Sequence, residues 1–157
     1  MEARVMQGIA ASDGIAIGPA FRYAIPDLTI PIRPIEQPNI ELARFQMAQE
    51  QARLELHSLR ENLAARTQGD ELAAIFDAHE MMLDDPALAD KVTGKIQEGI
   101  IVEQAVADAT QELAAMLAGM ADEYFAARAA DVQDVGRRLL RILLGLPDTA
   151  LSNLQVP

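Results

Sequence analysis

Apolar side chains recur every three or four residues through most of the chain beyond residue 38, which is the spacing of one helix face. Asn39 is a favourable cap, so the first run predicts a helix over about 40–67. Its inward positions form a seam typical of a helical bundle: Leu42, Phe45, Gln49, Ala52, Leu56, Leu59 and Leu63. Gln49 is the polar interruption of this seam, and His57 lies off it, where we expect it to be solvated.

Residues 70–86 carry the most information, because this predicted helix has two apolar stripes. Asp70 caps it and the Asp85-Pro86 pair ends it. The stripe expected to be buried consists of Leu72, Ile75, Phe76, His79 and Leu83. The second, shallower strip consists of Ala74, Ala78, Met81 and Met82, rimmed by Glu71, Asp77, Glu80, Asp84 and Asp85. Either both stripes belong to a bundle core, or the strip, with its adaptable methionines, receives a partner.

Three further helices are predicted over about 86–98, 101–117 and 121–144, separated by glycines. Their inward positions are, in turn, Leu88, Val92 and Ile96; Val102, Ala105, Val106, Ala109, Leu113 and Met116; and Phe125, Ala129, Val132, Gly136, Leu139 and Leu143. A glycine inside a helix costs about 1 kcal/mol relative to alanine. We therefore expect another backbone to lie close to Gly136.

The N-terminal part of the chain has a different pattern. Glycines punctuate short β-prone runs over 5–23, which predicts two short strands, marginal on their own and expected to pack loosely or pair between chains. Together the patterns predict a mainly α fold, an antiparallel bundle of two helical hairpins with a short N-terminal β segment. The predicted segments are strands in 1–24, a proline-rich extended linker in 25–38, the helical domain in 39–145 and a further linker in 146–157.

Composition narrows the classes of function. Half of the residues are hydrophobic but only 4% are aromatic, which favours an aliphatic core of closely packed helices. The absence of cysteine excludes disulfides, cysteine-ligated zinc and thiol nucleophiles, and two histidines are too few for an obvious metal cluster. A net charge of -11 disfavours nucleic acid and favours a basic partner. With no membrane-spanning run or signal peptide, we expect no membrane insertion and a cytoplasmic location.

Three groups of polar residues are candidate sites. Arg128, among alanines and three residues before Asp131, is accessible for bidentate recognition of a partner, although an ordinary surface pair has the same spacing. His79 reads as a buried, hydrogen-bonded histidine; the acidic side chains around it oppose a phosphate, so we reject it as a phosphate carrier. An acidic cluster for a divalent cation is also conceivable on this helix, but a solvated acidic rim is favoured: Glu80, Asp84 and Asp85.

Three collinear runs resemble Enzyme I of the bacterial phosphoenolpyruvate:sugar phosphotransferase system. Residues 74–86 are similar to that family's Ile-Phe-x-x-His-x-x-(Leu/Met)-x-x-Asp-Pro pattern. Residues 128–139 resemble its Arg-Ala-x-Asp-(Val/Ile)-x-Asp-(Ile/Val)-x-x-Arg-(Leu/Val) run. Residues 8–20 resemble its opening strands, where proline is commoner than Asp13. The resemblance covers most of residues 7–145.

The resemblance implies a helical docking domain inserted into an α/β domain that carries the phosphorylated histidine. The Gly-Gly-x-(Thr/Ser)-(Ser/Thr)-His signature of that domain does not occur here. The barrel domain that binds phosphoenolpyruvate and magnesium is absent too. The chain would thus be the helical insert with the first strands of an incomplete α/β domain. We expect it to be inactive alone, to need no cofactor of its own, and to be monomeric although the parent enzyme is dimeric.

The resemblance also implies a partner, the phosphocarrier protein HPr or a paralogue of it. The positions that match the family's docking surface are Glu71, Ala74, Met81, Met82, Asp85, Leu88 and Arg128. Ala78 of the strip and Asp131 beside Arg128 complete the candidate set. Leu72 departs from the family, in which a charged residue is common at that position.

Alternative functions stay open at this point. The same domain occurs in paralogues that serve a nitrogen-regulatory or a dihydroxyacetone-kinase phosphorelay with another carrier. A structural or oligomerisation bundle, with no small acceptor protein, is a different class of function. An independent enzyme is the least supported, because the chain offers no nucleophile–base pair and no phosphate-cradling loop.

Overall fold

A computed structural model describes residues 8–9, 14, 17, 27–64, 70–120 and 122–147 of the 157-residue chain. The described residues form five helices and no strand: α1 Pro38–Ala64, α2 Asp70–Leu83, α3 Pro86–Gln97, α4 Val102–Ala118 and α5 Glu123–Leu143. The helical fold class is confirmed. The strands predicted over 5–23 lie almost wholly outside the described residues.

The helix ends follow from local capping chemistry. The Asp85 side chain accepts a hydrogen bond from the Ala87 backbone N–H at 2.8 Å, and Asp122 accepts one from Tyr124 at 2.8 Å. Gly99, with φ +92°, follows α3 in a conformation that favours glycine. One cap was wrong: α1 begins at Pro38, whose missing N–H suits a first turn, so Asn39 lies inside the helix.

Two antiparallel hairpins make up the bundle. In the first, α1 and α2 run in opposite directions. Arg60 of α1 pairs with Asp77, whereas Arg53, about two turns earlier on α1, pairs with Asp84, which follows the end of α2. In the second, α4 and α5 pack along their length and are joined by a short turn. Helix α3 packs on α4, and α1 also contacts α5.

The core is aliphatic, as the composition predicted, and contains residues from all five helices. Its most buried large side chains are Leu56, Leu83, Ile96 and Leu139, with the valines at 92, 102, 106 and 135. Three residues assigned to inward stripes are instead exposed: Ile75 at 49%, Met116 at 54% and Phe125 at 40%. Met116 and Phe125 lie near the α4–α5 turn.

Helices α4 and α5 approach closely at Gly136. A Cβ on Gly136 would lie 2.7 Å from Thr110 Oγ1 and 2.9 Å from Thr110 Cβ and Cγ2. The close approach predicted from the glycine is present, but the neighbour is a side chain on α4 and not a backbone. Thr110 is fixed there because its hydroxyl donates to the Val106 carbonyl oxygen at 2.8 Å.

A buried ionic network joins the segment before α1 to the bundle. Glu41 and Glu103 are 4% and 2% exposed. Arg33 pairs with Glu41 at 2.7 Å and with Glu103 at 2.8 Å, and Arg44 pairs with Glu103 at 2.6 Å. Arg44 also donates to the Leu143 carbonyl oxygen at 3.3 Å. The segments that lead into and out of the bundle are therefore held at the same end.

Side chains of the incoming segment pack on the bundle as well: Leu28, Ile30 and Ile35. None of the helices in the described parts of the chain is both long enough and apolar enough to cross a membrane.

Candidate functional site

The C-terminal half of α2 is fastened to α1 by three polar contacts. Gln49 Nε2 donates to the Leu83 carbonyl oxygen at 2.9 Å, which satisfies a carbonyl at the end of the helix. The other two contacts are the Arg53–Asp84 and Arg60–Asp77 pairs, further along α1. The hydrogen bond from Arg53 to Asp84 raises the pKa of Arg53. The polar interruption in the α1 seam thus holds α2 in place.

The two predicted stripes of α2 are only partly separated. In the inward stripe, Leu83 is fully buried and Phe76 is half-buried against the core. Met82, which was assigned to the strip, is also half-buried and packs against the core. Met81 is 74% exposed and Ala78 is half-buried beside it. An apolar side chain is therefore presented to solvent on a helix whose other side is locked into the bundle.

The acidic rim is partly neutralised. Arg60 and Arg53 reach from α1 to two of the predicted rim residues, Asp77 and Asp84, although both acids keep about half of their side-chain exposure. Asp85 is exposed and caps α3 with its carboxylate. These arginine partners could not be predicted from the pattern of α2, because they lie on another helix.

Arg128 is oriented by an aromatic residue one turn earlier on α5. Its Nη2 donates to the Tyr124 hydroxyl oxygen at 2.8 Å, and its guanidinium carbon lies 5.1 Å from the Tyr124 ring centre. Its Nη1 lies 3.7 Å from Asp131 Oδ2. Tyr124 was not among the candidate residues; its spacing of four from Arg128 was the available signal.

His79 brings α2 and α5 together at this surface. Its side chain is 14% exposed, and Nε2 lies 3.7 Å from Asp131 Oδ1. The side chain is therefore mostly but not fully buried, and its Nε2 atom, which is buried, lacks the expected hydrogen-bond partner among the described residues. Asp131 thus lies between His79 of α2 and Arg128 of α5.

Comparison with known proteins identifies the family. A family model described as PEP-utilising enzyme, N-terminal, matches residues 7–128. The chain belongs to this family. The resemblance found in the three sequence runs is thereby confirmed.

Relatives and solved structures agree. The phosphoenolpyruvate-protein phosphotransferase of Staphylococcus carnosus is 38% identical over 145 residues, covering 92% of this chain and 25% of that protein. The protein of the same name from Listeria innocua is 40% identical over 161 residues, covering 98% and 27%. The chain spans about a quarter of the length of these curated relatives.

Two solved structures share the fold. An NMR solution structure of Enzyme I (nEIt) matches with a TM-score of 0.74 at 34% identity, covering 83% of this chain and 53% of that one. A structure named N-terminal domain of Enzyme 1 - Nitrogen matches with a TM-score of 0.65 at 28% identity, covering 79% and 54%. Both support a PEP-utilising N-terminal domain built around the helical bundle.

Not every candidate residue of this PEP-utilising domain lies on its surface. Leu88 is 2% exposed and belongs to the core, because it starts the inward stripe of α3. Glu71 and Ala74 lie in α2, but their side chains are outside the described residues. Four other candidates lie on α2 or directly after it: Ala78, Met81, Met82 and Asp85. The α5 candidates approach α2 where Asp131, which neighbours Arg128, lies close to His79.

Across the described ranges, no three or more histidine, aspartate or glutamate side chains are placed to hold a metal ion.

Proposed function

We propose that this chain is the docking part of a phosphoenolpyruvate-dependent protein phosphotransferase. It would bind a small phosphocarrier protein, HPr or a paralogue, and position it for phosphoryl transfer from a histidine outside this chain. By itself the chain would be catalytically inactive. Membership of the family and the names of its relatives support this proposal.

The main observation in support of this proposal is that Met81 is 74% exposed on a helix whose opposite side is bound to α1. The contacts of α2 with α1 hold this side chain on a rigid element. Little conformational entropy of the backbone is therefore lost when a partner binds. Methionine adapts to the shape of a partner surface. Asp85 and Asp131 lie beside the strip and, with the net charge of -11, favour a partner with a basic rim.

Two methionines of similar exposure provide a matched test. Met81 on α2 is 74% exposed and Met47 on α1 is 72% exposed. We expect Met81→Glu to weaken HPr binding at least tenfold, because a charge replaces an apolar contact, and to leave helicity unchanged. Met47→Glu introduces the same charge elsewhere and should bind like the unaltered chain. Unfolding by Met81→Glu, or equal effects of both changes, would contradict the assignment of the strip.

The direct measurement is an NMR titration of labelled chain with HPr from the same organism, at low and moderate salt. Shifts clustered on residues 70–86 and around Arg128, weaker at the higher salt, are expected because exposed charges are screened. As a control for the fold, Phe76→Ala should lower the free energy of unfolding, by less than the roughly 3–5 kcal/mol typical of a fully buried phenylalanine, because Phe76 is half-buried against the core.

A paralogous carrier is the second candidate, favoured by the structural match to the domain named Enzyme 1 - Nitrogen. Titration with a nitrogen-regulatory carrier and with HPr, under one set of conditions, ranks the two. If neither carrier shifts any resonance at high concentration, the docking proposal is rejected. A non-catalytic interaction module would then be examined by sedimentation of the chain alone.

A further inference from the structure

His79 has an unusual environment for a buried polar side chain. Buried polar groups are nearly always hydrogen-bonded, and each imidazole nitrogen is either a donor or an acceptor. Nε2 of His79 is buried without such a partner in the described part of the chain, and Asp131 Oδ1, at 3.7 Å, is just beyond hydrogen-bond distance. A small movement of α2 toward α5 would close this gap.

The Asp131 carboxylate lies close to two basic side chains. Its Oδ2 lies 3.7 Å from Arg128 Nη1, and its Oδ1 lies 3.7 Å from His79 Nε2. Protonation of the imidazole makes Nε2 a charged donor, which favours a direct pair with Asp131. The Asp131 carboxylate would then be drawn toward α2, and its attraction for Arg128 would weaken. Arg128 is held independently by Tyr124, so it can stay in place when Asp131 moves.

Charged side chains lie on each of the helices around this contact. They are Asp131 and Arg128 on α5, Arg53 and Arg60 on α1, and Asp77, Glu80 and Asp84 on α2 itself. An imidazole ordinarily titrates near pH 6.5, between the ranges of carboxylates and arginines. The chain has one other histidine, His57, which is exposed on α1 with Nε2 3.4 Å from Glu61.

We propose that His79 is a positioning residue of the docking surface, whose protonation moves Asp131 away from Arg128 and so regulates the binding of the carrier. This inference rests on the proposed function. The protonated form adds a positive charge to a surface that attracts a basic partner. We therefore expect protonation of His79 to lower the affinity for the carrier about fivefold between pH 8 and pH 5.5.

The first experiment needs no partner. The 13C signals of the Arg128 guanidinium carbon and of the Asp131 carboxylate are followed from pH 5.5 to pH 8 in the free chain. Both should follow the titration of His79 in the unaltered chain and in His57→Gln, and neither should do so in His79→Gln. Signals that do not move with His79 in a folded, unaltered chain would overturn the positioning role.

The second experiment measures carrier affinity over the same pH range by calorimetry. Any titration of the carrier itself contributes equally to every variant. The fivefold component should persist in His57→Gln and disappear in His79→Gln and in Asp131→Asn, which removes the carboxylate without adding bulk. Equal pH profiles for the unaltered chain and His79→Gln would overturn the regulation. If no carrier binds at any pH, the proposed function fails, and the free-chain signals still decide whether His79 positions Asp131.

Discussion

Gly136 is the residue at which packing leaves no room for a side chain. A Cβ there would lie within 3 Å of three atoms of Thr110, whereas a Cβ at Gly94, inside α3, would meet nothing within 4 Å. Both positions are helical, so alanine should be favoured at both by intrinsic propensity, by about 1 kcal/mol. The difference between the two sites is therefore packing alone.

We expect Gly136→Ala to lower the free energy of unfolding by about 1–3 kcal/mol, because overpacking outweighs propensity. Gly94→Ala should raise it by up to about 1 kcal/mol. Urea unfolding of both variants checks the pair. A stabilising Gly136→Ala would show that α4 and α5 can separate at no cost, and the close approach would then have no energetic importance.

Several residues could be assigned from the sequence and others could not. Leu56, Leu83 and Leu139 were predicted to be buried and are fully buried, because each belongs to the inward stripe of its helix. Glu41 and Glu103 gave no such signal, since their burial depends on Arg33 in a segment outside the helices. Periodicity indicates which residues share a face of a helix. It does not indicate which parts of that face are covered by another helix or segment.

Among the helices, local chemistry explains what was predictable. The predicted start of α3 at Pro86 agrees with the structure because Asp85 and Pro86 define a helix start on their own. The pattern of α2 alone does not decide between its two stripes, because their burial depends on which sides of α2 are covered by α1 and α5. His79 shows the same limit, since its relation to Asp131 joins residues 52 positions apart.

The network at Glu41 links elements and makes stability depend on pH. Hydrogen bonding from Arg33 lowers the pKa of Glu41 from 4.5 to about 2, and the side chain also accepts from the Val102 N–H at 3.0 Å. A lowered folded-state pKa stabilises the charged form. Its contribution is therefore fully present above pH 4.5 and is lost as pH falls toward 2.

We expect Glu41→Gln to be less stable than the unaltered chain at pH 7 by on the order of 3 kcal/mol, and the two unfolding curves to converge toward pH 2. Glu112 is the matched control. Its pKa is also lowered to about 2, by Lys91 and Lys95, but its side chain is 49% exposed, so water and salt screen the pairs. Glu112→Gln should stay close to the unaltered chain; an equal loss in both variants would contradict a special role for the buried network.

For the whole molecule, the important feature is that the described core closes within one stretch of chain. Every buried core residue lies between positions 45 and 140, and the residues that pack against this core begin at Leu28 and end at Leu143. Arg44 joins the start of α1 to the end of α5 through the Leu143 carbonyl oxygen. The helical unit therefore begins and ends at the same end of the bundle. This geometry allows a helical unit to be inserted into another domain.

This geometry makes a prediction about where the stable unit begins. A chain trimmed to residues 27–147 should keep the helicity, the thermal unfolding midpoint and the carrier binding of the 157-residue chain. A chain trimmed further, to 38–147, loses Arg33 and leaves Glu41 and Glu103 buried with less compensating charge, a change that costs about 3–5 kcal/mol when a buried pair is broken. Circular dichroism and urea unfolding of the two chains provide the measurement. Equal stability would mean that residues 27–37 are a passive linker, whereas a large loss would make them part of the folded unit and place any hinge toward a neighbouring domain before Leu28.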